Sequence, residues 1–147
     1  MKIEITLMTA DSARDVAELE AKCFNDPWPY ESFINTLSNE HAAYFTLYAD
    51  GVFYGYIGMY DLVDEVSIIN VAVDPNTRSR GYGRLLMEAA DNFARERGCG
   101  AITLEVRESN TPARTLYEKT GYQAYAVQKK YYTNPTEDAV LYRKTVE

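Results

Sequence analysis

Hydrophobic and polar positions along the 147-residue chain follow two periods, one typical of strands and one typical of helices. Alternating apolar and polar residues, or short apolar runs between turn signals, predict seven strands. They are expected at residues 2–9, 43–49, 52–61, 65–73, 101–106, 122–129 and 139–145. Apolar residues spaced three and four apart predict four helices. They are expected from residue 11 or 12 to the segment 25–27, and at 31–38, 84–97 and 110–120.

The order of these elements predicts the fold class. One strand, two helices, three strands, a helix, a strand, a helix and two strands form an α/β (α+β) chain with a mixed seven-stranded sheet and helices on both faces. We expect a single domain over residues 1–147. The strand–helix–strand unit at 65–106 should be parallel and right-handed. Ligands of such sheets bind beyond the carboxyl ends of the strands.

Several residues are expected to fix the ends and buried faces of these elements. Asp11 or Ser12 is predicted to cap the first helix, and Asp50–Gly51 is a strong hairpin signal. Gly98 fits the position that ends the long helix. The second helix is expected to bury three apolar side chains, those of Phe33, Ile34 and Leu37.

The segment at 70–86 joins an apolar strand, a proline, a basic glycine-bearing loop and a helix start. Gly81 and Gly83 allow positive φ and the close approach of a ligand to the backbone. Arg78, Arg80 and Arg84 add positive charge where the helix begins. Together these features suit a phosphate or pyrophosphate, although a solvated basic turn is the alternative. The spacing matches neither the dinucleotide fingerprint nor a P-loop.

Composition narrows the classes of function. The net charge of −7 argues against nucleic-acid binding, whereas an acidic surface can attract a basic substrate. No apolar run reaches membrane-spanning length and no signal peptide begins the sequence, so we expect a cytoplasmic protein that binds no membrane. Cys23 and Cys99 form no Cys-x-x-Cys pattern and are expected to be buried free thiols. The single histidine, His41, argues against a histidine-centred metal site, and we expect no metal.

Glu105 interrupts the apolar strand 101–106, which is expected to be central. A carboxylate there should be paired, or lie in a cleft with a raised pKa. From spacing alone, a glutamate at an edge or paired with Arg107 is the alternative.

The loop that contains Gly81 and Gly83 resembles a motif of the GCN5-related N-acetyltransferases, or GNAT family. Arg78-x-x-Gly81-x-Gly83 is similar to that family's Arg/Gln-x-x-Gly-x-Gly/Ala loop. Further segments are similar to the ribosomal-protein alanine N-acetyltransferases of the RimI type, so that the resemblance covers nearly the whole chain. These segments are residues 23–24, 27–28, 104–110, 113, 116–122, 131–132 and 137–139.

The resemblance implies the GNAT fold and acetyl-coenzyme A as cosubstrate. In the family the loop holds the pyrophosphate through backbone N–H groups, and the distorted strand before it binds the pantetheine arm. The matching cofactor-binding residues are Val71, Ala72, Val73, Arg78, Ser79, Arg80, Gly81, Tyr82, Gly83, Arg84 and Asn110. The Val73 N–H is the implied donor to the thioester carbonyl, whereas the side chains of residues 71–73 are expected to be core. Asn110 could equally cap the helix at residue 112, and both roles are compatible.

The resemblance also implies the catalytic residues. Glu105 matches the general base, acting directly or through water, and Tyr117 matches the general acid. Tyr117 could instead pack at helical spacing. Tyr30 and Tyr131, in aromatic loops, are the candidates for contact with a peptide substrate, and Trp28 is interpreted as structural.

The implied reaction is direct acetyl transfer, in a ternary complex, to a protein N-terminal α-amine. By the RimI-type resemblance, the acceptor is the N-terminal alanine of a small-subunit ribosomal protein. A lysine, polyamine or other small amine is the first alternative, and a non-catalytic coenzyme A-binding sensor or accessory subunit is the second. We expect a monomer or a weak homodimer.

Overall fold

The structure, a computed structural model, describes residues 1–77 and 79–147. Within them the chain forms seven strands and four α-helices, as the periodicity predicts. In chain order they are β1 Ile3–Leu7, α1 Ala10–Cys23, α2 Tyr30–Thr36, β2 Ala42–Ala49, β3 Val52–Asp61, β4 Glu65–Val73, α3 Tyr82–Arg97, β5 Ala101–Arg107, α4 Thr111–Lys119, β6 Gln123–Tyr132 and β7 Glu137–Thr145. A short 3-10 turn, Pro75–Thr77, follows β4.

The strands form one mixed sheet in the order β1-β2-β3-β4-β5-β7-β6. Within residues 1–77 and 79–147, β4 and β5 are the one parallel pair, and the other neighbouring strands are antiparallel. The pairing of β4 with β5 covers residues 65–68 and 101–104. Both strands continue beyond that point, to residues 73 and 107. They therefore separate at their carboxyl ends, which opens the middle of the sheet.

The two faces of the sheet are covered by different helices. Tyr44 on β2 and Tyr56 on β3 belong to a buried cluster with α1 and α2. Their chain neighbours Ala43 and Ile57 belong to a second cluster with α3. Because successive side chains of a strand point to opposite faces, α1 and α2 lie on one face and α3 on the other. In the first cluster, the ring centroid of Phe33 in α2 lies 5.7 Å from that of Tyr44 and 6.1 Å from that of Tyr56.

The structure corrects the predicted ends of α1 and α2. Thr9, not Asp11 or Ser12, caps α1, and Ser12 completes a capping box by accepting from the Thr9 N–H at 2.8 Å. α2 ends at Thr36, so Leu37 lies in its C-terminal cap and is 44% exposed rather than buried.

Two other predicted boundaries change. α3 begins at Tyr82, two residues before the predicted start, because Gly81 adopts φ +82° as its N-cap. Gly98, with φ +71°, ends α3 as predicted. The last hairpin is longer than predicted, since Tyr131 and Tyr132 belong to β6 rather than to a turn. In the described part of the chain, no helix combines the length and apolar character needed to cross a membrane.

Candidate active site

A cleft of about 590 Å³ lies where β4 and β5 separate. Its walls come from the end of α1, the loop between α1 and α2, the carboxyl halves of β4 and β5, α4, and the end of β6. We call the loop at residues 24–29 the acceptor loop and residues 133–136 the β6–β7 turn. The position at the carboxyl ends of a parallel strand pair is the one expected from the sequence.

Main-chain groups of β4 are open to this cleft. The Asp74 N–H donates to the Tyr54 carbonyl of the β3 side at 2.7 Å. Val73 lies opposite Gly55, one position along this antiparallel ladder. Since backbone groups in such a ladder alternate in direction, the N–H and C=O of Val71 and Val73 point away from β3. They face the gap that β5 leaves, where an extended ligand could add to the sheet.

The side chains of this segment are core, as expected. Ala72 is 6% exposed and packs under α1 and α2. Val71 and Val73 are half-buried against the α3 cluster. Their main chain therefore supplies the polar groups of this segment that a ligand can bond.

The loop before α3 has an unusual backbone. Ser79 has φ +73° and Gly81 has φ +82°. Among the described residues no side chain caps α3, whereas Thr9 caps α1 and Asn110 caps α4. The first N–H groups of a helix need an acceptor, so the uncapped start of α3 can take an anion. Arg78, which the sequence assigned to this loop, lies outside the described residues.

Residues 79–84 differ in how far they are exposed to solvent. Ser79, Arg80, Gly81 and Arg84 are exposed. The Tyr82 side chain is 2% exposed and its ring stacks on Tyr54 with centroids 5.5 Å apart. Tyr82 can therefore contribute only its main chain to an anion site.

Gly83 has a role that differs from its predicted one. It lies inside the first turn of α3 and is not among the positive-φ residues. A Cβ at Gly83 would lie 3.0 Å from Cδ2 of Leu116, which lines the cleft on α4. The missing side chain therefore lets α3 begin directly against α4, next to the cleft.

Glu105 lies on β5 and is exposed in the cleft. Its carboxylate makes no hydrogen bond or ion pair with the described residues. Arg107, its predicted alternative partner, instead bonds to Glu137 at 3.3 Å, so that alternative is wrong. Glu105 helps to raise the pKa of Tyr132 to about 12, after burial and the neighbouring Tyr131.

Tyr117, on α4, lines the same cleft and is 6% exposed. Its ring packs 6.1 Å from that of Tyr122 and 6.0 Å from that of Tyr142. Burial raises the pKa of Tyr117 well above its ordinary value, and Tyr132 and Tyr142 add to the rise. Its hydroxyl bonds to no other described residue. Tyr117 therefore combines the packing role with access to the cleft.

The two tyrosines chosen for substrate contact lie in different places. Tyr131 is 51% exposed and lines the cleft. Tyr30 does not line it, and its ring lies under the Arg14 guanidinium at 4.7 Å. Trp28, interpreted as structural, packs 5.6 Å from Phe33 and also lines the cleft.

Asn110 lines the cleft and also caps α4. Its side-chain oxygen accepts from the Ala113 N–H at 3.2 Å. The capping role is therefore present, and it leaves the Asn110 amide group beside the cleft.

The β6–β7 turn is organised by Arg107, which the sequence analysis considered only as a partner for Glu105. Its guanidinium donates to the carbonyls of Thr133 and Pro135, both at 2.9 Å. It also lies 4.5 Å from the centroid of the Tyr132 ring. Glu137 accepts from the Ser109 N–H at 2.6 Å. Hydrogen bonding from the Ser109 side chain, and then from this N–H, lowers the pKa of Glu137.

The acceptor loop meets the β6–β7 turn through two hydrogen bonds. Asn25 donates to the Asn134 carbonyl at 3.0 Å, and the Asn134 amide donates to Asp26 at 3.2 Å. Residues more than one hundred positions apart thus close this side of the cleft.

Sequence reasoning also missed Glu20 on α1, which is 1% exposed and lines the cleft. It lies four residues after Val16 and three before Cys23, on the apolar face of the helix. A carboxylate at helical spacing within an apolar face was the signal that could have found it.

Comparison with known proteins identifies the family. Residues 13–122 match the model of the acetyltransferase (GNAT) family. The putative ribosomal protein bS18-alanine N-acetyltransferase of Bacillus subtilis is 35% identical, over 99% of this chain and 97% of that protein. The crystal structure of the ribosomal protein bS18-alanine N-acetyltransferase of Escherichia coli superposes with a TM-score of 0.89 at 27% identity, covering 99% of this chain and 95% of that one. NAA60 of Arabidopsis thaliana, solved with acetyl-CoA, shares the fold with a TM-score of 0.86 at 16% identity, over 99% of this chain and 100% of that one. The chain therefore belongs to the acetyltransferase (GNAT) family and is an N-acetyltransferase.

Proposed function

We propose that this enzyme transfers the acetyl group of acetyl-CoA to the N-terminal α-amine of a protein. The favoured acceptor is the N-terminal alanine of a small-subunit ribosomal protein, as in the names of the Bacillus subtilis and Escherichia coli relatives. The observation that carries the proposal is the presence of Glu105 and Tyr117 in one cleft, beside the open edge of β4.

The two side chains approach the gap from opposite faces of the sheet. Leu104 and Val106 pack in the α3 cluster together with Tyr117. Glu105 lies between them on β5, so its side chain points to the other face, which α1 and α2 cover. This arrangement gives a base on the acceptor side and an acid on the cofactor side, as the transfer requires.

The described residues fit acetyl-CoA. We assign the pyrophosphate to main-chain N–H groups at residues 79–84, where α3 has no cap from any side chain that the structure describes. We assign the pantetheine arm to the open main-chain groups of Val71 and Val73, and the thioester carbonyl to the Val73 N–H. Acetyl-CoA supplies the acetyl group as an activated thioester. Arg80 and Arg84 add positive charge beside the loop.

Glu105 takes a proton from the acceptor ammonium, directly or through water. The neutral nitrogen then forms the new C–N bond as the C–S bond breaks, and Tyr117 gives its proton to the departing sulfur. The nitrogen, now positively charged, loses its second proton through solvent, which reprotonates the Tyr117 phenolate, and Glu105 releases its proton to water. Burial keeps Tyr117 protonated for this task, because it raises the pKa of the phenol. The transfer is direct, so no acyl group is carried by Cys23 or Cys99.

An N-terminal amine suits a single carboxylate base. Its pKa is about 7.7–8.0, against about 10.4 for lysine, and neutralising a lysine therefore costs roughly 3.5 kcal/mol more. Tyr131 and Trp28 offer rings for contact with the first residues of a peptide. The closed side of the cleft, between the acceptor loop and the β6–β7 turn, also favours a slender chain end.

A panel of peptides beginning with Ala, Ser and Met, compared with free lysine and spermidine, tests the acceptor class. We expect the alanine peptide to have the highest kcat/KM. Faster acetylation of the free amines would replace the peptide acceptor by the small-amine alternative.

The Glu105→Gln variant tests the base. We expect kcat to fall by about 10²–10⁴, while the Kd of acetyl-CoA, measured by calorimetry, stays within about twofold. Glu108→Gln is the matched control, because Glu108 is an exposed carboxylate three residues along the chain, and it should retain wild-type kcat. A Glu105→Gln enzyme with wild-type kcat would remove Glu105 from the mechanism and favour a coenzyme A-binding role.

A further inference from the structure

Glu20 is a buried carboxylate that the acid–base mechanism does not use. It is 1% exposed, and among residues 1–77 and 79–147 no Lys, Arg or His forms an ion pair with it. Instead it accepts three hydrogen bonds. The donors are the Tyr56 hydroxyl, the Asn70 amide at 2.7 Å and the Trp28 backbone N–H at 2.7 Å.

Burying an ionised carboxylate without a cation is costly unless hydrogen bonds replace its hydration. An apolar side chain of similar volume would fill the same space, often without loss of stability. Core packing alone therefore does not explain why this position carries a carboxylate.

The three donors come from three different elements of the chain. Trp28 is on the acceptor loop, Tyr56 is on β3, and Asn70 is on β4 directly before Val71. The β3–β4 ladder is irregular at this point, since its register shifts between Gly58 and Met59. Glu20 thus joins the acceptor loop to the part of β4 whose main chain faces the cleft.

We propose that Glu20 is a positioning residue for acetyl transfer, which holds the acceptor loop at a fixed distance from the cofactor-binding edge of β4. The inference rests on the proposed function, because it assigns the acceptor to the Trp28 side of the cleft. β4 is held along its other edge by β3, whereas the acceptor loop is not part of the sheet. Loss of the carboxylate should therefore displace the loop and leave the strand in place.

The matched control lies on the same helix. Asp15 of α1 accepts from the Tyr48 hydroxyl at 3.1 Å, so it also joins α1 to the sheet through a tyrosine. Asp15 does not line the cleft. The comparison is between Glu20→Met and Asp15→Leu, each an apolar replacement of similar size, with Glu20→Gln as the conservative variant.

Trp28 gives a readout that does not depend on activity, since it is the chain's single tryptophan. In Glu20→Met we expect acrylamide quenching of its fluorescence to increase at least about twofold, because the loop loses its anchor. Glu20→Gln keeps a carbonyl acceptor for the Trp28 N–H and should give an intermediate value. Asp15→Leu should be quenched like the wild type.

Steady-state kinetics with the best peptide of the panel gives the second readout. Glu20→Met should raise the KM of the peptide about tenfold while the KM of acetyl-CoA changes less than about twofold, and Glu20→Gln should recover most of the loss. A folded Glu20→Met enzyme with wild-type quenching and wild-type peptide KM would overturn the proposal. The same changes in Asp15→Leu would also overturn it.

Asn70→Ala covers the case in which Glu20→Met does not fold. It removes one donor and leaves Glu20 in place, so we expect a rise of about threefold in peptide KM and a smaller increase in quenching. Wild-type values for both would overturn the proposal. If the wild-type enzyme acetylates no peptide, the proposed function fails, and the quenching data still decide whether Glu20 anchors the loop.

Discussion

Replacing Arg107 by alanine removes the group that holds the β6–β7 turn against the sheet. The guanidinium donates to the Thr133 and Pro135 carbonyls, each at 2.9 Å, and bonds to Glu137 at 3.3 Å. Its carbon atom lies 4.5 Å from the centroid of the Tyr132 ring. None of these contacts can be made by a methyl group, and the turn would lose its main attachment.

The loss of stability follows from these contacts. Each hydrogen bond to a carbonyl is worth about 1 kcal/mol at this partly exposed site, and the contact with the Tyr132 ring adds about 0.5–1 kcal/mol. Together they predict a destabilisation of about 3 kcal/mol, which corresponds to a Tm decrease of about 6–12 °C for a chain of this size. Arg107→Lys keeps the charge but not the planar fork that reaches two carbonyls, so it should lose about half as much.

The same change should weaken acceptor binding. Asn134 in this turn bonds to Asn25 and Asp26 of the acceptor loop, and Tyr131 precedes it in the cleft wall. We expect the peptide KM to rise about tenfold in Arg107→Ala, with little change in the KM of acetyl-CoA. The assays are thermal unfolding followed by circular dichroism and steady-state kinetics below the Tm of the variant.

Arg143→Ala is the control, because Arg143 is an exposed arginine on the neighbouring strand β7. Its stability should stay within about 0.5 kcal/mol of wild type. If Arg107→Ala unfolds within about 2 °C of wild type and keeps its peptide KM, Arg107 does not organise the acceptor side and the reasoning is refuted.

Two further variants test the cofactor side. Tyr117→Phe should lower kcat by about 10²–10³. Burial raises the pKa of Tyr117 above its ordinary value of 10.0, so the phenol stays protonated in alkaline solution. The pH profile of the wild-type kcat should therefore show no fall below about pH 10. A fall below pH 9 that Tyr117→Phe abolishes would contradict this assignment. Gly81→Ala places a Cβ on a residue with φ +82°, where no described atom lies within 4 Å of that Cβ apart from those of residues 80–82. Backbone strain alone should therefore lower the free energy of unfolding by about 1 kcal/mol and weaken acetyl-CoA binding by about threefold to tenfold. Calorimetry measures that Kd, and an unchanged value would exclude the loop from pyrophosphate binding.

Local sequence signals predicted most of the fold. Strand alternation, helical spacing and turn residues depend on neighbours within a few positions, and they located all seven strands and four helices. Gly98 ended α3 as expected because a left-handed residue needs no distant partner. The wrong cap of α1 and the wrong burial of Leu37 are also local errors. Several adjacent residues could cap α1, and several could lie on the buried face of α2.

Local sequence signals also located part of the candidate site correctly and misplaced another part. The glycine-bearing loop, Glu105 and Tyr117 were selected from motifs, and the positions of the loop and Glu105 in the chain already place them near the carboxyl ends of β4 and β5. Tyr30 was selected from its loop alone, and the structure puts it under Arg14, away from the cleft. Proximity along the chain does not decide which way a loop side chain turns.

The sequence by itself determined the order of the elements, the basic and glycine-bearing character of the loop before α3, and the family. Only the tertiary structure decided that β4 and β5 separate after residues 68 and 104, and that Glu20 lies between Trp28, Tyr56 and Asn70. The tertiary structure alone also decided that Arg107 bonds to the carbonyl of Thr133 in the β6–β7 turn, twenty-six positions later in the chain. These features depend on contacts between residues far apart in the chain, which form when the sheet closes and buries the groups concerned, and no local pattern of polarity specifies them.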